Sequence, residues 1–400
     1  MTTRKNTHHI VVLGAGYAGL ATATNLAGRT RRRDDIRITL ISAHDTFVEK
    51  LRLHQLGTGQ QLDDLSIPDL LDGTGVTFVQ GWVRNVEADA NTVELSEGSS
   101  ASTTSISYDT LVYGLGGIAD SAPVPGVDDY AHRLDSPKDA RALADRLAAP
   151  TTRSVAVVGT GLTGVEVAAE IADSHPYLEV TLLGRDTPGA QMAPHAQRYL
   201  LQALDRLNVD VRDGVEASKV LTDSVELVGG ENVAADVVVW ASGVHVSPMA
   251  AAAGFDVDER GRILTDTALR SVSHQNVYAV GDAAAVRQKF GVLHGTCQSG
   301  MPTGVHVATS IVRQRKGKQP NPFRFGYYHA PVSLGRSDAI VQFTKPDDAP
   351  RRWFLTGKRA AWYKETVSSS PWPTYRRMTK YPRSGAIWPQ GGSYTRGGAA

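Results

Sequence analysis

Hydrophobic and polar positions divide much of the chain into short apolar runs that end at glycine and are followed by stretches with helical spacing. Residues 9–13 form the first apolar run, residues 36–41 alternate like a strand, and residues 139–149 form an alanine-rich helical stretch. Helical spacing returns over residues 303–312. Apolar strands that alternate with helical segments are typical of a parallel sheet whose strands are joined by helices. The pattern therefore predicts an α/β fold.

The first apolar run leads into three glycines in the segment HIVVLGAGYAGLATA, residues 9–23. Gly14 allows a tight turn, Gly16 lets the backbone approach a pyrophosphate, and Gly19 lets the helix pack closely on the strand. The start of that helix offers free N–H groups and a partial positive charge to phosphates. The spacing predicts a dinucleotide-binding turn; the alternative is a tight loop that binds no nucleotide.

The same pattern returns at residues 155–168, where the strand VAVV is followed by Gly159, Gly161 and Gly164. Residues 179–183 then supply the next strand of this second unit. Two units that share the order of strand, glycine turn and helix predict two dinucleotide sites in one chain.

The residue that ends the second strand of each unit determines how the adenosine ribose is held. An acid at this position binds the ribose hydroxyls of NAD, and an arginine accommodates the 2′-phosphate of NADP. The first unit has Ser42 there, with Asp45 a few residues further on, which predicts a rearranged ribose contact. The second unit has Gly184 followed by Arg185, which favours NADPH over NADH.

Two further segments carry candidate ligand-binding residues. The segment FVEKLRLHQ, residues 47–55, places Lys50 among other basic side chains. This basic cluster has two possible explanations: surface salt bridges, or a loop that lies over a cofactor ring. The strand that ends in YGLGG brings Gly114 to a second position where backbone can lie against a ligand.

Composition is that of an ordinary globular protein with two or three domains: 400 residues, 41% of them hydrophobic and 21% charged. The longest apolar stretch, residues 234–253, contains Asp236, His245 and Pro248, and it predicts a strand and a loop instead of a membrane span. The first residues lack the apolar run of a secretory signal. Cys297 is the single cysteine, which excludes an internal disulfide and predicts a cytoplasmic location.

Charge is distributed unevenly, although the formal net charge is only +1. Residues 311–400 contain 17 Lys and Arg against 4 Asp and Glu, so the preceding part of the chain is acidic. The same segment holds 14 of the 27 aromatic residues. Basic residues mixed with Trp and Tyr suit an anionic membrane surface; the alternative is a basic face that docks on the acidic body. No basic helix or reading module points to nucleic acid.

Five motifs resemble, in their order, those of pyridine nucleotide:flavin oxidoreductases with two dinucleotide-binding domains: VVLGAGYAGL, YDTLVYGLGG, VAVVGTGLTGVEVAAEI, ADVVVWASGV and NVYAVGDAAA. Within this group the chain most resembles type II NADH dehydrogenases and their actinobacterial relatives, over about residues 9–312. The resemblance implies that the first glycine motif binds FAD and that the second binds NAD(P)H.

The resemblance also implies roles for single residues. Gly281 and Asp282 would contact the ribityl chain or the pyrophosphate of FAD, because a carboxylate accepts hydrogen bonds from sugar hydroxyls. Val83 would bind adenine through its backbone. Glu166 would lie close to the place where nicotinamide meets flavin; its alternative role is that of an exposed helix carboxylate.

The domain order implied by the resemblance is discontinuous. An FAD-binding domain would comprise residues 1–120 and 241–312, with an NAD(P)-binding domain inserted as residues 121–240. Residues 313–368 would form a C-terminal α+β region at the interface or substrate site. Residues 369–400 are rich in Pro, Gly, Ser and Arg without periodicity, which predicts a loosely ordered basic tail. The expected fold is thus two Rossmann-like domains with a C-terminal α+β region.

The implied activity is hydride transfer from NAD(P)H to flavin N5, followed by transfer of two electrons to a quinone or a similar small acceptor. Type II enzymes line the quinone site with a motif of the form AQxAxQ. Here the run CQSGMPTG keeps the first glutamine as Gln298 and has Pro302 at the place of the second. Glu166, Gln298 and Lys50 are the candidate catalytic residues, and no metal site is expected.

Two other functions stay open at this point. The chain would otherwise reduce a small iron–sulfur protein whose acidic surface meets the basic C-terminal region, or serve without catalysis as an NAD(P)H-sensing flavoprotein scaffold. The expected location is cytoplasmic, with peripheral contact at the inner face of the membrane. The sequence leaves the oligomeric state open.

Overall fold

The computed structural model describes residues 7–96, 103–119 and 124–396. Its helices, in chain order, are α1 Tyr17–Thr30, α2 Leu53–Gly57, α3 Ile67–Leu71, α4 Val127–Tyr130, α5 Pro137–Leu147, α6 Leu162–Ser174, α7 Pro194–Arg206, α8 Met249–Ala252, α9 Cys297–Gln314, α10 Gly357–Ser369 and α11 Pro371–Met378. Its strands up to residue 183 are β1 His8–Leu13, β2 Ile36–Ser42, β3 Val76–Gln80, β4 Trp82–Glu87, β5 Thr92–Ser96, β6 Thr103–Ser107, β7 Thr110–Tyr113, β8 Ile118–Ala119, β9 Ala131–Arg133, β10 Ser154–Val158 and β11 Glu179–Leu183. The later strands are β12 Val209–Arg212, β13 Ala217–Val220, β14 Ser224–Leu227, β15 Asn232–Ala234, β16 Val237–Trp240, β17 Val244–His245, β18 Ile263–Leu264, β19 Val277–Ala279, β20 Ala284–Ala285, β21 Arg287–Gln288, β22 Gly291–Val292, β23 His329–Ser333, β24 Ala339–Thr344 and β25 Pro350–Thr356.

A first parallel sheet has the strand order β19-β7-β1-β2-β3. Its central strand β1 is enclosed on both faces, so that every residue from Ile10 to Leu13 is fully buried. A strand covered on both faces is apolar throughout, which explains the continuous run that the sequence shows there. Helix α1 follows β1 directly, and the first glycine turn therefore lies at the carboxyl end of the sheet.

A second parallel sheet has the strand order β12-β11-β10-β16-β9. Strand β10 lies at its centre and leads through the second glycine turn into α6, as β1 leads into α1. The two sheets confirm the predicted α/β class with two Rossmann-like units. The expected domain boundary at residues 120–121 lies outside the described residues.

Helix α9 packs against α1, and a Cβ atom on Gly304 would collide with the carbonyl oxygen of Ala18. The helix begins at Cys297, several residues before the predicted start at 303. Thr296 and Ser299 form a capping box that starts it, and Pro302 lies inside it. Glycine and proline near its start hide the helical spacing in the sequence. Among the described residues, the structure has no helix whose length and apolar character would let it traverse a bilayer.

The C-terminal region contains the antiparallel sheet β23-β24-β25 and the helices α10 and α11. The prediction of a loosely ordered tail over residues 369–400 is wrong for the described part, which ends at residue 396. Tyr375 and Met378 are fully buried in the core that also contains α1. The Tyr375 hydroxyl donates to the carbonyl oxygen of Tyr17 at 3.0 Å. Apolar residues at 372, 375 and 378 share one face of α11, a spacing that the surrounding Pro and Arg residues conceal.

Candidate active site

The first glycine turn opens into a cavity of about 390 Å³ at the carboxyl end of the first sheet. Ligands of open α/β sheets bind in this crevice. The predicted FAD-contacting residues that line the cavity are Gly14, Gly16, Ser42, Lys50, Val83, Gly114, Gly281 and Asp282. Residues from distant parts of the sequence thus meet in one place. Gly19 lies behind the turn, against the backbone of Gly14.

Backbone geometry explains the glycines of this turn. Gly14 has a φ of +87°, and a Cβ atom there would collide with the carbonyl oxygen of Gly114. A Cβ atom on Gly19 would collide with the carbonyl oxygen of Gly14. Gly16 differs, because no atom lies within 4 Å of its Cβ position and α1 begins there without a side-chain cap. The first N–H groups of α1 are therefore open to a phosphate.

Two charged side chains line the same cavity. Lys50 Nζ donates to the carbonyl oxygen of Gly117 at 2.9 Å, which fixes its ammonium group at the wall. Asp282 follows β19. Burial raises the pKa of the Asp282 carboxyl group, and the positive charge of Lys50 opposes that shift. An acceptor and a cation in this position suit the hydroxyls and phosphates of a dinucleotide.

The other end of the cavity is aromatic. The rings of His44 and Trp82 meet edge to face with centroids 5.8 Å apart, and both line the cavity beside Ser42 and Val83. An aromatic wall next to strand backbone suits a purine base. Three features of this cavity fit FAD: the open phosphate turn, Asp282 and the aromatic end. At the turn, a Cβ atom on Gly16 would fill the space that a pyrophosphate needs.

The second glycine turn has the same geometry. Gly159 has a φ of +125°, and a Cβ atom there would lie 2.6 Å from the carbonyl oxygen of Ala241. A Cβ atom on Gly164 would collide with the carbonyl oxygen of Gly159. Gly161 has no atom within 4 Å of its Cβ position, and α6 begins there without a side-chain cap. These features fit the phosphates of a second dinucleotide.

A second cavity of about 720 Å³ lies beside the first, and Thr296 and Cys297 line both. Parts of α6, α9, α10 and the segment after α11 form its wall. Apolar and aromatic side chains such as Met301, Tyr327 and Trp388 contribute to the lining. A mostly apolar cavity with a few polar groups is typical of a small-molecule site.

Glu166 is a buried residue of α6 that lines the second cavity, so it is not an exposed helix carboxylate. Its Oε1 atom lies 2.8 Å from Lys364 Nζ and accepts a hydrogen bond from the backbone N–H of Ser333 at 3.0 Å. Burial favours the neutral acid, but the Lys364 ammonium and these hydrogen bonds outweigh it and lower the pKa of Glu166. The structure thus places an ionised carboxylate at the wall of the cavity.

Gln298 and Cys297 also line the second cavity. The Gln298 side chain donates to the carbonyl oxygen of His329 at 2.9 Å and accepts from the N–H of Tyr328 at 3.2 Å. Its amide is therefore held by β23 and the residue before it. Burial raises the pKa of the Cys297 thiol to about 11, so this cysteine is neutral near pH 7 and is not an activated thiol.

Lys364 carries no signal in the sequence, whereas His54 belongs to the basic cluster of residues 47–55. Lys364 belongs to a region of many basic residues, and only the fold brings it to Glu166. His54 is buried, its Nε2 atom has no hydrogen-bond partner, and burial lowers its pKa to about 4. Arg185, by contrast, lies outside both cavities with an exposed side chain. Across the described ranges no group of three or more His, Cys, Asp or Glu residues could hold a metal ion.

Comparison with known protein families matches residues 8–310 to the pyridine nucleotide-disulphide oxidoreductases. The chain belongs to this family. It is therefore an enzyme that uses FAD and a nicotinamide nucleotide, and the predictions of fold, enzyme class and cofactors are confirmed. The roles of the individual site residues stay predictions.

Curated members of this oxidoreductase family resemble the chain over most of its length. An NADH dehydrogenase-like protein of Mycobacterium tuberculosis is 29% identical over 356 residues, which cover 83% of this chain and 86% of the relative. A type II NADH:quinone oxidoreductase of Staphylococcus aureus is 28% identical over 396 residues, which cover 90% and 94%.

Solved structures share the fold. NDH2 from Plasmodium falciparum in complex with NADH has a TM-score of 0.79 at 16% identity and covers 94% of this chain and 98% of its own. The sulfide:quinone oxidoreductase from Aquifex aeolicus has a TM-score of 0.77 at 20% identity and covers 94% and 93%. The C-terminal region is thus part of the shared fold.

Proposed function

We propose that this oxidoreductase transfers electrons from NAD(P)H to a quinone or a similar small, flat acceptor that enters the second cavity. The observation that carries the proposal is the wall that the two cavities share at Thr296 and Cys297. An acceptor in the second cavity would lie next to a flavin in the first. Two curated relatives are named for NADH dehydrogenase and NADH:quinone oxidoreductase activity, which supports this class of acceptor.

Electrons would leave to an acceptor outside this chain, because a single cysteine cannot form a redox-active cysteine pair. Disulfide chemistry needs two thiols, and Cys297 has no second cysteine with which to form a disulfide. Its raised pKa also makes it a poor nucleophile. The wall of the second cavity is largely apolar, which suits a quinone ring better than a charged oxidant.

When bound, FAD accepts a hydride from NAD(P)H and returns two electrons to an acceptor. The glycine turns would hold the two pyrophosphates, and Lys50 and Asp282 would contact polar groups of the flavin nucleotide. Lys364 Nζ lies 2.8 Å from Glu166 Oε1 at the cavity wall. A quinone takes up two electrons and two protons when it becomes a quinol. The hydride of NAD(P)H brings the two electrons and one of these protons, and Lys364 would pass on the second, which is then replaced from solvent. Gln298 shapes the wall, since its side chain bonds to His329 of β23 and to the preceding Tyr328.

The two half-reactions test this proposal separately. Anaerobic NADH or NADPH should bleach the purified yellow holoenzyme, and a soluble short-chain quinone should restore the flavin absorbance. Ala330 lines the second cavity, so Ala330→Trp should fill it. The rate of reoxidation at low quinone concentration should fall at least about tenfold, with bleaching unchanged. Protein without bound flavin, or a variant that reoxidises at the normal rate, would contradict the proposal.

A protein acceptor is the second candidate, favoured by exposed cations on β25 and α10. Arg351, Arg352, Lys358 and Arg359 are exposed there, and such a surface attracts an acidic redox protein. Reoxidation by a plant-type ferredoxin should then fall steeply as salt is raised, because screening weakens long-range attraction. Reoxidation by a neutral soluble quinone should change little. If the quinone is the faster oxidant at every salt concentration, the small acceptor is favoured.

A further inference from the structure

The end of strand β11 carries the groups that decide between NADH and NADPH. In a dinucleotide fold, an acid at the end of this strand binds the two ribose hydroxyls of NAD, and a nearby arginine accommodates the 2′-phosphate of NADP. Here β11 ends at Leu183 and is followed by Gly184 and Arg185. Two relatives of the chain are named for NADH. The arginine at this strand end favours NADPH instead, so the choice of nucleotide has to be argued from the residues of this chain.

An acidic side chain has no room at Gly184. A Cβ atom there would lie 2.6 Å from Thr160 Oγ1 and 2.9 Å from the backbone nitrogen of Thr160. Thr160 is buried between Gly159 and Gly161 in the second glycine turn. Because that turn is the phosphate site, it cannot move aside to admit a carboxylate. The geometry therefore excludes, at Gly184, the acidic side chain that would bind the ribose hydroxyls of NADH.

Arg185 is available for a new partner. Its side chain is 73% exposed, and its ion pair with Glu216, itself 58% exposed, spans 3.9 Å. Exposed pairs of this kind are weak. Arg212 differs, because it pairs with both Asp210 and Glu231. Strand pairing places Arg212 beside Leu183, so it adds positive charge next to Arg185 without being free itself.

Three acidic residues near this position must be considered as rivals. Glu216 is the ion-pair partner of Arg185, and Asp213 accepts a hydrogen bond from the Thr187 hydroxyl. Asp186 follows Arg185 directly and is exposed. It is the acid nearest in sequence to Gly184 and therefore the rival that would bind ribose hydroxyls in place of an acid at Gly184. The two neighbours thus correspond to the two nucleotides, Arg185 to NADPH and Asp186 to NADH.

We propose that Arg185 makes this enzyme select NADPH over NADH by pairing with the 2′-phosphate. The proposal rests on the proposed binding of the nucleotide at the second glycine turn. A phosphate monoester carries close to two negative charges at neutral pH. The planar guanidinium group can donate two parallel hydrogen bonds to it, whereas the ribose hydroxyl of NADH offers no charge.

Binding of substrate fragments tests the proposal without turnover. Calorimetry on the holoenzyme should compare ADP-ribose with its 2′-phosphorylated form. We expect the phosphorylated fragment to bind roughly 10- to 100-fold more tightly, the range of one charge-assisted contact. Arg185→Ala should remove most of this difference and leave the affinity for ADP-ribose within about twofold. The matched control is Arg153→Ala, which removes an exposed arginine at the opposite, amino-terminal edge of the same sheet.

A second variant separates the two rival residues. Asp186→Ala should leave the preference for the phosphorylated fragment intact. Equal affinity of the wild-type protein for the two fragments, or a preference for ADP-ribose that Asp186→Ala abolishes, would overturn the proposal. Flavin bleaching is read in parallel. If neither NADH nor NADPH bleaches the flavin while the binding preference persists, the proposed activity fails and the selectivity proposal stands.

Discussion

The ion pair between Glu166 and Lys364 lies at the wall of the second cavity. Both side chains are buried, and the pair joins α6 of the second sheet to α10 of the C-terminal region. Removing one partner of a buried pair leaves a charge without compensation, which costs about 3–5 kcal/mol. A substitution in this pair is therefore expected to change both the charge at the cavity wall and the stability of the fold.

Replacement of the lysine should destabilise the protein in a pH-dependent way. In the wild type the lowered pKa of Glu166 contributes stability above the unfolded pKa of about 4.3, and this contribution is lost as the pH falls through the native value. In Lys364→Met burial raises the pKa instead. The variant should lose about 3 kcal/mol at pH 8 and much less at pH 5, as measured by urea unfolding. Lys358→Met, on the exposed face of the same helix, is the control; a loss that does not depend on pH would contradict this account.

The two open glycines give a matched pair of variants. Gly16 and Gly161 each have free space at the Cβ position and an extended backbone that valine can adopt. Gly16→Val should keep the fold and lose bound flavin, because the side chain occupies the phosphate space. Gly161→Val should keep the flavin and raise the concentration of NAD(P)H needed for bleaching by at least about tenfold. Circular dichroism measures the fold of each variant, and flavin absorbance measures its bound flavin and its bleaching by NAD(P)H. Loss of flavin in Gly161→Val would reverse the assignment of the two turns.

How far the sequence predicts this site depends on the type of residue. The glycine turns were predictable because each needs glycine for a stated reason: positive φ at Gly14 and Gly159, and close packing at Gly19 and Gly164. Asp282 was predictable because a motif surrounds it. Lys364 was not predictable, because it meets Glu166 only when α10 packs against α6. The role of Gln298 stays a prediction: it lines the cavity, and its amide bonds to β23.

Helix α11 shows why local composition misleads at the level of an element. Its Pro and Arg residues are typical of a disordered segment, yet Trp372 stacks on Phe47 with ring centroids 5.9 Å apart and Tyr375 meets the same ring edge to face. Two aromatic side chains and Met378 on one face outweigh poor helix formers when a partner helix covers them. Strand β11 and most of α5, by contrast, lie where the sequence predicted them.

Loss of the buried tyrosine should loosen α11 from α1. Tyr375→Ala should destabilise the protein by about 3–5 kcal/mol, the usual cost of removing a large buried aromatic side chain. It should also weaken flavin binding, because Tyr375 bonds to Tyr17 and Tyr17 lines the flavin cavity. Urea unfolding and flavin retention on gel filtration measure the two effects. The control is Tyr381→Ala, whose side chain is exposed; equal loss in both variants would contradict the role given to α11.

Over the whole molecule, the basic C-terminal region is divided between two roles that the sequence could not separate. Arg336 docks on the acidic body, with its guanidinium 2.7 Å from Glu170 and its backbone N–H bonded to Asp173. Other cations, on β25 and α10, are exposed beside Trp353 and Trp362, which are 76% and 72% exposed. The part of this segment that docks on the acidic body is therefore distinct from the exposed basic and aromatic part that would meet a membrane.

We expect the exposed tryptophans to govern peripheral membrane contact. Replacing both Trp353 and Trp362 by serine should reduce sedimentation with phosphatidylglycerol vesicles roughly three- to tenfold, because amphipathic rings bind at the headgroup level. High salt should weaken what remains. Tyr177→Ser, an exposed aromatic residue on the acidic body, is the control. Unchanged sedimentation of the double variant would exclude this surface from membrane contact.

The shared wall of the two cavities has a consequence for how the protein is made. Every residue that lines the flavin cavity precedes residue 301, whereas the wall of the acceptor cavity includes Ser384, Ile387 and Trp388. A ribosome makes the chain from the N-terminus, and folding follows that order. The growing polypeptide therefore contains all the flavin-lining residues before its acceptor cavity is complete. A nonsense codon shortly after position 380 would keep α11 and all the residues that line the first cavity but remove Ser384, Ile387 and Trp388, so that the second cavity would be open to water.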